Sequence, residues 1–285
     1  MTASKTSAIR VNNVTLSYTD WPGERGPLIC LPGLADHKGS FAPLARRLAP
    51  EYRLLALDLR GRGDSDKPDR GYGFAYHARD VLAFANALNI DTFDLIGHSF
   101  GATVGVYLAS IRPTRVRAAV LLDGGADPEA DVLAAMQAAL RRLDRVYPSM
   151  DAFLERMKTR PFYRPWSRAL EAYFRDDVHV LPGGNVRPKA STTALQRDMD
   201  VQFYYSMCLH FPALRCPTLF LHPRRGLLGP DQGHVLTDRV VAAITAWIPD
   251  CRLVNLPHVN HYTMLLHDNP PVTPHIRAFL ADVLA

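Results

Sequence analysis

The residues with the clearest capacity for chemistry are Gly97-His98-Ser99-Phe100-Gly101, a serine between two glycines. A serine hydroxyl attacks a carbonyl usefully only when three other groups are supplied. A base must take its proton, an acid must orient that base, and a cradle must receive the charge that develops on the attacked oxygen. The local pattern meets the first geometric requirement. An apolar stretch, TFDLIG, reads as a strand, and SFGATVGVYLASIRP reads as a helix that ends at Pro113. A serine on the sharp turn between them would stand at a helix N-terminus, where negative charge is favoured, with Gly97, Gly101 and Ala102 leaving room for the crowded backbone.

The surrounding elements must carry that turn. PLICL (27–31), YRLLALDL (52–59), RVRAAVLLDGG (115–125), CPTLFLHP (216–223) and CRLVNLP read as strands, and AIRVNNVTLSY as a strand pair turning at Asn12-Asn13. FAPLARRLA, AYHARDVLAFANALNI, TDRVVAAITAWI and PVTPHIRAFLADVLA carry apolar residues at helical spacing. This alternation predicts an α/β protein with a mostly parallel sheet and helices on both faces, its ligand site beyond the carboxyl ends of the strands. From Ala126 to Leu214 the alternation stops, and only helices joined by Pro-rich segments are expected. The organisation is therefore a core formed by residues 1–125 and 215–285, with residues 126–214 inserted as a helical lid.

With these motifs in order, the chain resembles the α/β-hydrolase fold family over nearly its whole length. CLPGLADHKGSF is similar to the family's oxyanion loop after the third strand, LDLRGRGDSD to the Asp-x-x-Gly-x-Gly-x-Ser signature after the fourth, and GHSFGA to the nucleophile elbow. The resemblance implies an eight-stranded sheet and a Ser99 nucleophile, with the backbone N–H groups of Leu34 and Phe100 forming the oxyanion hole. It implies that the base is His261, in LPHVNHYTML, ahead of the competing His258 and His267. His98 is expected in packing at the elbow, and His37, His77, His179, His210, His234 and His275 in loops or on helix surfaces. The DLRGRGDS segment is read as a structural brace, since it lacks the endings of a phosphate loop.

The acid departs from the commonest family pattern. In LFLHPRRGLLGPDQG, Gly226 stands where the carboxylate usually follows the seventh strand, and Asp231 lies five residues further on. Some members of the family carry the acid after the sixth strand instead. Asp123, at the end of AAVLLDGG, is the expected acid here, with Asp231 and Asp127 as alternatives.

An elbow hydroxyl points to acyl transfer, whereas relatives that cleave carbon–halogen bonds or epoxides use an elbow carboxylate. The expected reaction is hydrolysis of a carboxylic ester or lactone through a Ser99 acyl-enzyme. Serine-dependent C–C hydrolysis and a non-catalytic small-molecule-binding relative are the alternatives. Tyr163, Trp166, Tyr204 and Met207 of the lid are expected to line a pocket for a medium-sized apolar or aromatic group.

Composition narrows the remaining classes. The 285 residues are 47% hydrophobic and 21% charged, with a formal charge of +5 carried by scattered arginines. No basic run with interleaved aromatics favours nucleic acid. No Cys or His spacing suggests a metal, and no cofactor is expected. The first residues lack the apolar core of a signal peptide, so cytoplasmic localisation without membrane association is expected, and a homodimer stays open.

Overall fold

The computed structural model describes residues 3–127, 132, 134, 136, 137, 140, 143–229 and 231–284. An eight-stranded sheet runs in the order β1-β2-β4-β3-β5-β6-β9-β10. Its members are β1 (Lys5–Val11), β2 (Val14–Trp21), β3 (Arg25–Leu31), β4 (Tyr52–Leu57), β5 (Phe93–His98), β6 (Val116–Leu122), β9 (Thr218–Pro223) and β10 (Cys251–Leu256). The first two pairings, β1 with β2 and β2 with β4, are antiparallel, and all later ones are parallel. Asn12 and Asn13 take φ of 46° and 63°, the left-handed geometry that a two-residue hairpin turn requires and asparagine tolerates.

The central strands are apolar throughout because both faces are covered. On one face, α1 (Ala42–Leu48) and α8 (Thr273–Val283) bring Leu44, Leu48, Ile276 and Leu280 against Ile96, Val120 and Leu221. On the other, α2 (Phe74–Ala87), α3 (Phe100–Ile111) and α7 (Asp238–Trp247) bring Val81, Phe84, Val104 and Ile244 against Leu95, Leu121 and Phe220. Burying each such side chain stabilises the fold by about 1.5–3 kcal/mol.

Between β6 and β9 lie α4 (Met150–Lys158), α5 (Arg168–Asp176) and α6 (Thr192–Tyr204). Each begins at a serine whose hydroxyl accepts an early backbone N–H: Ser149 from Ala152, Ser167 from Leu170 and Ser191 from Ala194. The expectation of helices alone fails here. β7 (Val178–Val180) and β8 (Val186–Pro188) form a small antiparallel hairpin, turned by Gly183 and Gly184 at φ of 82° and 83°. Of the helix expected over 128–147, residues 128–131, 133, 135, 138, 139, 141 and 142 lie outside the described residues.

Candidate functional site

Strand register brings two of the expected residues together. β5 and β6 pair with His98 opposite Leu122, so the next residue of each strand, Ser99 and Asp123, emerges at the same edge. The Ser99 N–H donates to Leu122 O at 2.9 Å and the Asp123 N–H to Leu221 O at 3.1 Å. Both then turn sharply, with φ of 53° at Ser99 and 43° at Asp123. Non-glycine residues seldom occupy this region, which costs of order 1–3 kcal/mol and concentrates at functional sites. The turns close on glycine: a Cβ on Gly101 would sit 2.0 Å from Leu31 O, and one on Gly124 2.2 Å from Ser99 O.

His261 arrives from the segment after β10. Its Nδ1 lies 2.7 Å from Asp123 Oδ2, with both side chains buried. Burial pushes the His261 imidazole below its ordinary value and the neighbouring His98 adds to this, while Asp123 and Asp36 oppose it. Burial also disfavours the charged Asp123 carboxyl, but His222 and His261 outweigh that effect and hold it down at about 2. His222 Nδ1 is 3.8 Å from Asp123 Oδ1, too far for a hydrogen bond. The other candidates lie elsewhere. Asp231 and His258 are exposed, and Asp127 accepts hydrogen bonds from Ser206 Oγ and Met207 N.

Ser99 and His261 line one cavity of about 80 Å³, with Leu34 beside them. Among the described residues, neither the Leu34 N–H nor the Phe100 N–H has a hydrogen-bond acceptor. Phe100 opens α3, where the first amides have no partner within the helix. Asp36 and Tyr262 also line it, and the rest of its described wall is apolar, chiefly Val132, Met136, Leu140, Leu143, Leu227 and Val235.

None of the four lid residues expected to line the pocket is among those around this cavity. Tyr163 packs edge-on against Phe174 and Tyr262. Trp166 stacks on Phe174 at 5.6 Å, Met207 is fully buried in the core, and Tyr204 is 85% exposed. The aromatic residues knit the inserted segment to itself and to the loop bearing His261. Val132, Met136, Leu140 and Leu143 recur at helical spacing, a signal that would have found them in the sequence.

Two buried polar clusters flank the cavity. In the first, His98 Nε2 lies 2.9 Å from His261 O and Nδ1 lies 3.3 Å from Asp36 Oδ2, while Tyr173 OH donates to Asp36 Oδ1 at 2.9 Å. Burial opposes the charge on Asp36, but His98 and Tyr173 prevail and hold its carboxyl at about 2. In the second, Arg62 is fully buried. It donates from Nε to Leu34 O at 2.7 Å, its guanidinium carbon lies 5.2 Å from the Phe100 ring centre, and a terminal nitrogen lies 2.6 Å from Asp198 Oδ2 on α6. Asp198 also contacts His77 Nε2 at 3.0 Å and accepts the Gly73 N–H at 2.5 Å. Thus His77 and His37, expected in loops or on helix surfaces, are both buried. In the DLRGRGDS brace, Asp58 accepts from Lys38 and from Asp64 N.

The sequence profile of the alpha/beta hydrolase fold matches residues 26–268. The chain belongs to that family. It is 31% identical to a 2-(acetamidomethylene)succinate hydrolase of Mesorhizobium japonicum, over 89% of this chain and 87% of the relative. It is 34% identical to an N-formylmaleamate deformylase of Pseudomonas putida over 40% of this chain, spanning only 43% of that relative's length. A match to a serine hydrolase-like protein of Danio rerio, 36% identical over 36% of this chain, spans 32% of that protein. The crystal structure of an E-2-(acetamidomethylene)succinate hydrolase superposes with a TM-score of 0.87 at 22% identity, covering 99% of this chain and 100% of the other. The named relatives are hydrolases. Among the described residues of this family member, no helix is long and apolar enough to cross a membrane, and no group of three or more His, Cys, Asp or Glu could hold a metal ion.

Proposed function

We propose that this protein is a serine hydrolase that transfers the acyl group of a carboxylic ester or lactone to water. The observation that carries the reading is the 2.7 Å approach of His261 Nδ1 to Asp123 Oδ2, with His261 and Ser99 facing one cavity. With Nδ1–H donated to Asp123, Nε2 is the basic nitrogen of His261. It takes the proton of Ser99 as Oγ attacks the substrate carbonyl. The Leu34 and Phe100 amides receive the oxyanion, and losing one such donor typically costs ~3 kcal/mol. His261 returns the proton to the leaving alkoxide and the acyl-enzyme forms. Water then attacks with His261 as base, the acid product leaves, and Ser99 regains its proton. Hydrolytic relatives, among them a deformylase, support reaction with water.

The space in contact with Ser99 favours a short, uncharged segment next to the scissile carbonyl, smaller than the medium-sized group expected from the sequence. Its described wall is apolar apart from Asp36, Ser99, His261 and Tyr262, with no described Arg or Lys. The direct test is hydrolysis of p-nitrophenyl esters of increasing acyl length, with Ser99→Ala as control and fluorophosphonate labelling as the probe of the nucleophile. Turnover and labelling that both disappear in Ser99→Ala support the reading. A wild-type protein that neither turns over any ester nor becomes labelled would sink it.

A further inference from the structure

A second cleft, of about 680 Å³, lies behind the wall of the Ser99 cavity. Leu227 belongs to both walls. Phe162 of the cleft stacks at 5.3 Å on Tyr262 of the cavity. The cleft is held together by three segments. Arg225 N–H donates to Val259 O at 3.1 Å, and Asn260 Nδ2 donates to Phe162 O at 2.9 Å.

The two spaces differ in charge. The cavity at Ser99 carries the Asp36 carboxylate and no described cation. Among the described residues, the cleft is lined by Arg164, Arg225, His258 and His267 and by no carboxylate. Arg224, next along the chain, is neutralised by Asp238. Asp268, next to His267, accepts the Ala169 N–H. Among the described residues, Arg164 and Arg225 have no acidic partner. One comes from the inserted segment and one from the loop after β9.

That loop is also where the acid of many relatives would stand. Here Gly226 occupies the position, and Asp123 lies beside His261 instead. At that position the loop after β9 has no carboxylate, and Arg225 beside it presents a guanidinium, which binds carboxylates through paired hydrogen bonds.

We infer that the cleft behind Leu227 is an anion subsite, and that Arg164 and Arg225 bind a carboxylate carried by the substrate at the end remote from its scissile carbonyl. The inference rests on the hydrolase reading above and adds a substrate class to it: esters or lactones with an apolar reacting end and an acidic far end. Asp36 repels that acid from the Ser99 cavity, which fixes the orientation of the substrate.

The test uses paired substrates and an assay of binding that needs no turnover. Mono-p-nitrophenyl esters of dicarboxylic acids with four to ten carbons are compared with the neutral p-nitrophenyl esters of equal length, in the wild type and in Arg164→Gln/Arg225→Gln. For at least one length, the double variant should lose about tenfold in kcat/KM on the anionic ester, through KM, the scale of one exposed charge-assisted hydrogen bond. The neutral ester should change less than twofold, and the anionic preference should fade with added salt. Calorimetry with the free dicarboxylic acids should show the same tenfold weakening, whether or not any ester is hydrolysed. Equal losses on both esters, no loss on the anionic one, or unchanged dicarboxylate binding would overturn the inference while leaving the Ser99 reading intact. Inorganic phosphate binding more tightly than every dicarboxylate would overturn the choice of carboxylate.

Discussion

Replacing Asp123 by Asn tests the reaction at its most exposed point. Asp123 Oδ2 stands 2.7 Å from His261 Nδ1. When His261 takes the Ser99 proton, an imidazolium forms against that carboxylate. Two unit charges at this distance attract by about 6 kcal/mol at the effective dielectric of ~20 that suits protein sites. Removing the negative charge should therefore slow acylation by ~10⁴-fold, at 1.36 kcal/mol per factor of ten. The same size of loss is typical where the orienting carboxylate of a serine hydrolase becomes an amide. Asn preserves shape, and at 2% exposure the neutral side chain is easier to bury than the carboxylate. The melting temperature should consequently move little while kcat collapses. The assay is steady-state hydrolysis of a short p-nitrophenyl ester, with active sites counted by slow fluorophosphonate labelling and Asp231→Asn run in parallel. A variant within tenfold of wild-type kcat would refute the role given to Asp123. A collapse in Asp231→Asn would locate the acid elsewhere.

Two further outcomes follow from the buried charges. Burial and His98 lower the His261 pKa, and its neutral form is the active one, so the acid limb of kcat/KM should be half-maximal below pH 6.5. Asp36→Asn removes a charge that favours the imidazolium, and should move that limb further down; a limb at or above pH 6.5 in the wild type would contradict the assignment. Asp198 is also held at about 2, where His77 and Arg62 outweigh the effect of burial. Its depressed value stabilises the fold fully above the ordinary carboxylate value of about 4, and the gain is lost as pH falls towards 2. Asp198→Ala leaves Arg62 buried and unpaired and should cost about 3–5 kcal/mol in urea titration. Arg62→Met/Asp198→Leu should cost less than Asp198→Ala, and a double variant at least as unstable as the single would contradict the pairing.

Much of the frame was readable from local pattern because its signals are short-range. The β5 strand, the glycines around Ser99 and the apolar run ending at Asp123 each declare themselves within ten residues. The hairpin of β7 and β8 escaped because three-residue strands are too short to show a period of two. The cavity wall was misread for another reason. Tyr163 and Trp166 are large and apolar, but composition does not say which neighbour they face, and they face one another's cluster. The helical spacing of Val132, Met136, Leu140 and Leu143 did carry the direction. Arg62 and Asp198 lie too far apart in sequence for any local signal to join them, and His77 looked like one of several surface histidines until Asp198 was folded onto it.

The position of Arg62 has a thermodynamic consequence. One guanidinium holds the carbonyl of Leu34, lies against the Phe100 ring and is neutralised by an acid from α6. Any displacement of α6 that carries Asp198 away strips the counter-charge from the side chain that steadies both proposed oxyanion donors. The seating of α6 and the steadiness of the proposed anion cradle are thus tied through the same arginine. Linkage makes the relation reciprocal: a tetrahedral adduct seated on Leu34 and Phe100 would tighten α6 by as much as the docking of Asp198 on Arg62 tightens the adduct. Arg62 thereby couples the packing of an inserted helix to the site's capacity to hold an oxyanion.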